Sequence, residues 1–226
     1  MKREDIKTKA LFDLSKSIAG PLLERKEYPW EALPEIKEFI LFIGQTLPEE
    51  EYEKIGDEIW IHRSVVLPPT VCLCGPMIIC KNAEIRHCAF FRGSVIIGEN
   101  AVAGNSCEFK NSVIFDGAQI PHYNYIGDSI IGYKSHMGAG SITSNLKSDK
   151  SLVKVHLGEE DIETGMKKFG AILGDGVEVG CGSVLNPGTV IGKNASIYPL
   201  SSVRGCILQN SIYKKQGEIA EKYEVK

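Results

Sequence analysis

The chain has 226 residues, 43% of them hydrophobic, which is enough to bury one sizeable core and suits one principal domain with trimmings. Its formal net charge of −3 comes from 26 basic and 29 acidic side chains without a basic block. That balance excludes a nucleic-acid or anionic-membrane footprint and points to small molecules or further copies of the chain as partners. Residues 1–7 are mostly polar and no window carries the apolar run of a membrane span, so no leader or span is expected and the location reads as cytoplasmic.

Seven cysteines, an odd number, suit reduced thiols better than a disulfide framework. Cys72-x-Cys74, with Cys80 and Cys88, lacks the paired CxxC spacing of a zinc site, so these residues read as small hydrophobes in or near the core, and no metal is expected.

In chain order, Ile6, Ala10, Leu11, Leu14 and Ile18 predict a helix that Gly20-Pro21 breaks. Leu33, Ile36, Ile40 and Ile43 predict a second, with Pro34 in its first turn and Gly44 as its stop. Both are expected to cover an open end or side of the main body. Glu49, Glu50 and Glu51 read as a solvated linker.

From Ile61 the period changes. Ile61, Leu67, Leu73, Ile79, Ile85 and Phe91 fall six apart, and the series runs on through Ile97, Ala103, Phe109 and Phe115. Four residues after each comes a smaller apolar residue, from Val65 to Val113. Two inward positions in every six describe a short strand and a corner, repeated as a solenoid. The pattern continues through Ile126, Ile131 and Met137 with one five-residue step, lapses, and resumes from Leu173 to Val203. The lapse between Asn145 and Gly170 is polar and reads as an insertion looping out, in which Val153, Val155 and Leu157 alternate before Gly158 as in a small hairpin.

The hexad resembles that of the hexapeptide-repeat family, which implies a mainly β fold: a single-stranded left-handed parallel β-helix, three hexads to a coil. The expected organisation is a helical N-terminal segment and linker at 1–57, the β-helix at 58–205 with its inserted loop at 146–169, and a C-terminal tail at 206–226.

Three stretches depart from hexad filler: Phe91-Arg92-Gly93, then 108–112, then 120–129 with its continuation to Asn145. Arg92 and Lys110 each follow an inward aromatic, eighteen residues apart, so one coil stacks them about 4.8 Å apart. Two cations so close suit a phosphate, although outward surface charge gives the same spacing. His122 lies outside the inward positions, and an imidazole, with an ordinary pKa of about 6.5, can take a proton from an attacking amine. Asn124 and Tyr125 are placed to orient a polar acceptor beside it. The Gly138-Ala139-Gly140 turn exposes backbone N–H groups to a thioester oxygen.

From Arg92 to Lys154 the order of these residues resembles the C-terminal acetyltransferase domain of bifunctional N-acetylglucosamine-1-phosphate uridyltransferases and the related archaeal sugar-1-phosphate enzymes. The resemblance implies transfer of an acetyl group from acetyl-CoA to the amine of a hexosamine 1-phosphate. It implies that Arg92, Lys110 and either Lys150 or Lys154 hold the phosphate, that Tyr125 and His136 touch the acceptor, and that His122 is the general base. Ala139, Asn145 and Cys181 then lie along the acetyl-CoA path. It also implies a homotrimer with sites between neighbouring prisms.

Three positions depart from the family pattern: His136 for an asparagine, Leu146 for a tyrosine and Cys181 for a serine. No Gly-x-Gly-Thr-Arg nucleotide loop is present, so pyrophosphorylase chemistry is not expected. The histidines, at 62, 87, 122, 136 and 156, are too dispersed for a γ-class carbonic anhydrase. The alternative is a non-catalytic or regulatory β-helix related to the sugar-phosphate nucleotidyltransferases.

Overall fold

The structure, a computed structural model, describes residues 2–215 and 218–221; 216, 217 and 222–226 of the expected tail lie outside the described residues. The body is a parallel β-helix. Met77 and Ile79 pair with Val95 and Ile97, eighteen residues on, and each later coil lies on the one before in the same parallel sense. Each coil uses three short strands, which stack into three flat faces.

The first face carries Ile59–His62, Met77–Ile79, Val95–Ile97, Ala171–Leu173 and Thr189–Ile191, with the second halves of the long strands Glu108–Ile114 and Tyr125–Ile131. The second carries Glu84–Ile85, Val102–Asn105, Gln119–His122, His136–Met137, Glu178–Val179 and Ser196–Ile197. The third carries Cys72–Cys74, Phe90–Arg92, the first halves of the two long strands, then Ile142–Thr143 and Val184–Leu185. Parallel coils continue past 205, through Cys206–Ile207 to Ser211–Lys215.

The hexad residues fill the interior, where Phe91 and Phe109 stack with ring centroids 5.1 Å apart. Two expected positions are corrected. The hexad period puts Phe115 and Val113 inward, but Ile114 takes the inward place and both of them face out, Phe115 stacking on Phe12 at 4.9 Å. The cause is a five-residue step from Phe109 to Ile114, repeated from Ile126 to Ile131. In both, one residue in left-handed conformation (Asn111, φ 47°; Asp128, φ 47°) turns the corner, and the long strand bends through it.

Strands of the first face are apolar on both sides, as in Met77-Ile78-Ile79 and Val95-Ile96-Ile97, so this face must be covered. The N-terminal segment covers it. Instead of one helix over residues 6–18, the chain makes short turns at Arg3–Ile6, Thr8–Leu11 and Leu14–Lys16, which let it follow the face. Gly20-Pro21 opens the next turn, Gly20–Leu23, rather than ending one, because proline is compatible with a first helical turn. The second helix forms at Ile36–Gly44, while Leu33 and Pro34 belong to the 3-10 turn Pro29–Glu35 before it.

The insertion leaves the coil as expected, but it folds back onto the first face instead of projecting into solvent. It forms an antiparallel hairpin, Lys154–Leu157 with Glu160–Glu163, whose Val153, Val155 and Leu157 are buried on the same outer layer. Trp30 ties the two covers together, stacked on Tyr28 at 4.6 Å and tilted against Phe169 at 5.8 Å. Of the cysteines, Cys80 and Cys107 are buried as expected, but Cys72, Cys74 and Cys88 are exposed, because their side chains point outward from strands or corners. Among the described residues no cluster suits a metal, and no helix is long and apolar enough to cross a membrane.

Trp30→Ala should therefore cost about 3–5 kcal/mol in urea unfolding, because it opens a cavity where both covers meet the helix. A loss below about 1 kcal/mol would mean that the covers pack independently of one another.

Candidate active site

The second and third faces meet at a corner that carries one column of residues. Coil-to-coil hydrogen bonds set it: Ser106 N–H donates to the His87 carbonyl, Tyr123 N–H to that of Asn105, and Gly140 N–H to that of His122. Gly182 N–H then donates to the Ala139 carbonyl, and Leu200 N–H to that of Cys181. His87, Asn105, His122, Ala139, Cys181 and Pro199 thus occupy equivalent rungs, each about 4.8 Å from the next. His122, Ala139 and Cys181 are brought together as three successive members. His122 is exposed, and no described residue hydrogen-bonds its ring.

Asn124 does not orient a ligand beside it. Its side chain is 2% exposed, donates to the Gly138 and Ser141 carbonyls at 2.8 and 2.9 Å, and accepts from His122 N–H, so it locks the corner. The glycine turn is corrected as well, since Gly138 and Gly140 spend their N–H groups on Val179 and His122 carbonyls. Ala139 is the one member of that turn whose N–H has no backbone partner among the described residues.

Across the third face, at its corner with the first, lies a polar cluster. Arg92 pairs with Glu108 at 2.6 Å, and that contact raises its already high pKa further. Lys110 Nζ lies 2.8 and 3.0 Å from the two oxygens of Asp128. The register that sets Phe91 beside Phe109 stacks Lys110 on Arg92. The expected repulsion between them is absent because each cation holds a carboxylate. Asp128 is 4% exposed and also accepts from Asn111 Nδ2 at 2.9 Å and Asn145 Nδ2 at 2.5 Å.

Asn145 reaches Tyr125 too, its Nδ2 donating to the phenol oxygen at 3.1 Å. Burial, reinforced by Asp128 and Glu108, raises the Tyr125 pKa, so the phenol stays protonated. Lys110, Asp128, Asn145 and Tyr125 therefore form one connected group, with the Arg92–Glu108 pair one coil away. Gly127 makes room for it: a Cβ there would lie 2.3 Å from the Tyr125 hydroxyl and 2.9 Å from Asn145 Nδ2.

The remaining sequence-predicted residues lie apart from this group. His136 faces outward from the second face, its Nδ1 3.1 Å from Glu178 Oε2 and its strand paired with Gln119. Lys154, on the hairpin, pairs with Glu163 at 2.7 Å. Lys150 is exposed, in left-handed conformation. The loop lysine that approaches the third face is Lys147, which lines a cavity of about 300 Å³ with Leu146, Asn186 and Arg204. Glu108 and Asp128 lie within the outward stretches 108–112 and 120–129, and the fold gives them a role that was not assigned from sequence. Their signal was there: both are acids spaced to meet Arg92 and Lys110 between adjacent coils.

A parallel β-helix whose third face no described residue covers, flanked by a histidine corner and a cationic corner, defines a hexapeptide-repeat architecture with a surface site. Residues 73–180 match the family model described as the GMPPB C-terminal domain. The chain is 40% identical over 129 residues to the bifunctional protein GlmU of Methanococcus aeolicus, covering 57% of this chain and 31% of that protein. It is 33% identical over 193 residues to the GlmU of Methanocaldococcus jannaschii, covering 84% of this chain and 47% of that protein. The bifunctional sugar-1-phosphate nucleotidylyltransferase/acetyltransferase of Sulfurisphaera tokodaii matches at 40% over 111 residues, 49% of this chain and 28% of that one. Homologues are thus GlmU and sugar-1-phosphate nucleotidylyltransferase/acetyltransferase proteins, as the resemblance implied, matched at their C-terminal region. The chain spans less than half the length of these relatives.

Gly127→Ala should push the Tyr125 hydroxyl off Asn145 and cost about 1–3 kcal/mol, read by urea unfolding and a crystal structure of the variant. An intact Tyr125–Asn145 bond with unchanged stability would contradict the close packing described.

Proposed function

We propose that this chain is an acetyl-CoA-dependent N-acetyltransferase whose acceptor is a hexosamine 1-phosphate. The observation that carries the reading is the third face itself: a proton acceptor on one edge, with Ala139 and Cys181 in column with it, and a cationic group on the other edge. The relatives' names, which include acetyltransferase and sugar-1-phosphate, support the same reaction class.

The mechanism follows from the two edges. The acceptor's phosphate exchanges with the carboxylates of Glu108 and Asp128 for contacts to Arg92 and Lys110, and the Tyr125 hydroxyl donates to it. The thioester lies along Ala139 and Cys181. His122, as neutral imidazole, takes a proton from the amine as the nitrogen attacks the carbonyl carbon. The Ala139 N–H meets the oxyanion. The C–S bond then breaks, the amide remains on the sugar, and the departing thiolate takes up a proton.

Because the site lies on an open face, it needs a neighbour to close over it, which favours the homotrimer with sites between prisms. Its location is proposed to be cytoplasmic, where acetyl-CoA and sugar phosphates occur. Lys147, which lines a cavity with Asn186 and Arg204, is a further loop cation beside Lys150 and Lys154; it is held by Asp149 at 3.6 Å, as Lys154 is by Glu163. One observation favours a non-catalytic reading: both cations are neutralised and the His122 ring has no orienting partner in the described chain.

Thiol release from acetyl-CoA, tested against a panel of amino sugars and their 1-phosphates, decides between the two. Turnover only with the 1-phosphates is expected, and silence across the panel would support the non-catalytic reading. His122→Ala should lower kcat by about 10²–10⁴-fold, with acetyl-CoA binding retained. Arg92→Ala should raise the acceptor KM by about 10–100-fold while acetyl-CoA KM holds. It is a cleaner probe than Lys110→Ala, which also strips buried Asp128 of its cation. Equal effects on both substrates would remove Arg92 from the phosphate site.

A further inference from the structure

The buried carboxylate of Asp128 does more than neutralise Lys110. A carboxylate only accepts hydrogen bonds, so its contact with Asn145 fixes which way that amide points: Nδ2 faces Asp128 and Oδ1 faces away. The other Nδ2 hydrogen goes to the Tyr125 oxygen. The phenol oxygen, already accepting from Asn145, then has its own hydrogen left to give to a ligand, with Gly127 leaving room beside it. One charge therefore sets the direction of a chain of hydrogen bonds that ends at the open face.

We propose that Asp128 is the positioning residue of this site: it sets the polarity of the Asp128–Asn145–Tyr125 chain, so that Tyr125 meets the ligand as a donor and Asn145 presents Oδ1 as an acceptor. The proposal rests on the reading of the third face as the substrate site and adds to it a specificity device. A donor hydroxyl beside Lys110 and Arg92 favours an anionic group over a neutral hydroxyl, and an Asn145 Oδ1 turned away from Asp128 favours an N–H of the ligand bound at that same edge. The same carboxylate anchors Lys110 on both oxygens and Asn145 on one, so a single residue supports both the cation and the amide of this edge.

Asp128 also sits at the root of the insertion. Its carbonyl accepts from Gly170 N–H at 2.8 Å, where the coil resumes, and the Asn145 carbonyl accepts from Phe169 N–H at 3.0 Å. The chain leaves the coil just after one member of the hydrogen-bond chain and returns beside the other, which holds the two together across the insertion.

Asp128→Asn keeps the shape and removes the charge. Its amide can donate to Asn145, which is then free to turn over, and Tyr125 becomes a donor to Asn145 instead of to the ligand. The decisive experiment is a double-mutant cycle on the full chain, read as acceptor KM. Tyr125→Phe should raise the acceptor KM about 5–10-fold in the wild type and less than about 2-fold in the Asp128→Asn background. Asp128→Asn alone should raise the acceptor KM and leave that of acetyl-CoA in place, where a purely structural role would lower stability or kcat and leave both KM values in place. Equal Tyr125→Phe effects in the two backgrounds would overturn the proposal.

A second readout needs no turnover. The side-chain amide of Asn145, followed by ¹⁵N NMR, should show two widely separated proton shifts in the wild type, and the separation should collapse in Asp128→Asn. If the wild type transfers no acetyl group, the functional reading fails and the NMR result alone decides the positioning role: unchanged Asn145 shifts in Asp128→Asn would overturn it.

Discussion

Everything in this molecule depends on the parallel pairing of one coil with the next, at a spacing of sixteen to eighteen residues except across the insertion. A short strand cannot bury its apolar residues or satisfy its backbone alone, and here each coil does both for its neighbour. Register then becomes a means of placing side chains. Residues one coil apart in sequence become neighbours in space, so Arg92 meets Glu108 and Lys110, Lys110 meets Asp128, and His122 joins Ala139 and Cys181 without any of them being close along the chain.

The three faces have different fates, and the middle residues of their strands decide which. Ile78, Ile96, Ile130 and Ile172 make the first face apolar outside as well as inside, so it takes the N-terminal segment and the hairpin as covers. Glu84, Gln119, His136 and Glu178 leave the second face to solvent. The third face keeps half-buried residues such as Phe90, Tyr125, Ile142 and Val184 with charged ones between them, and no segment of the described chain covers it. It is the face suited to substrates and to another copy.

The solenoid was legible because its period leaves a mark at every coil. The covers were less so: the triplets Met77-Ile78-Ile79 and Val95-Ile96-Ile97 signalled a second buried side, but the hexad was read for its inward positions only. Phe115 misled for the same reason, since an aromatic at the sixth place fits the period while the chain turns one residue early at Asn111. The cations and the histidine of the site were visible as outward oddities. Asp128 was not singled out, although it stood within the densest motif, because a corner acid in sequence looks like any solvated turn residue; only the fold shows it buried under Lys110, Asn111 and Asn145. The glycine turn failed as an amide donor set because two of its three N–H groups already serve the coils on either side.

The central claim is that the third face binds both substrates, one at each edge. The most direct measurement is a crystal structure with CoA and a hexosamine 1-phosphate bound together. The account predicts the pantetheine arm running along Ala139 and Cys181 towards His122, and the phosphate between Arg92 and Lys110 with the Tyr125 hydroxyl donating to it. CoA on the second face near His136 and Glu178, or a phosphate that leaves both the Arg92–Glu108 and Lys110–Asp128 pairs undisturbed, would contradict it.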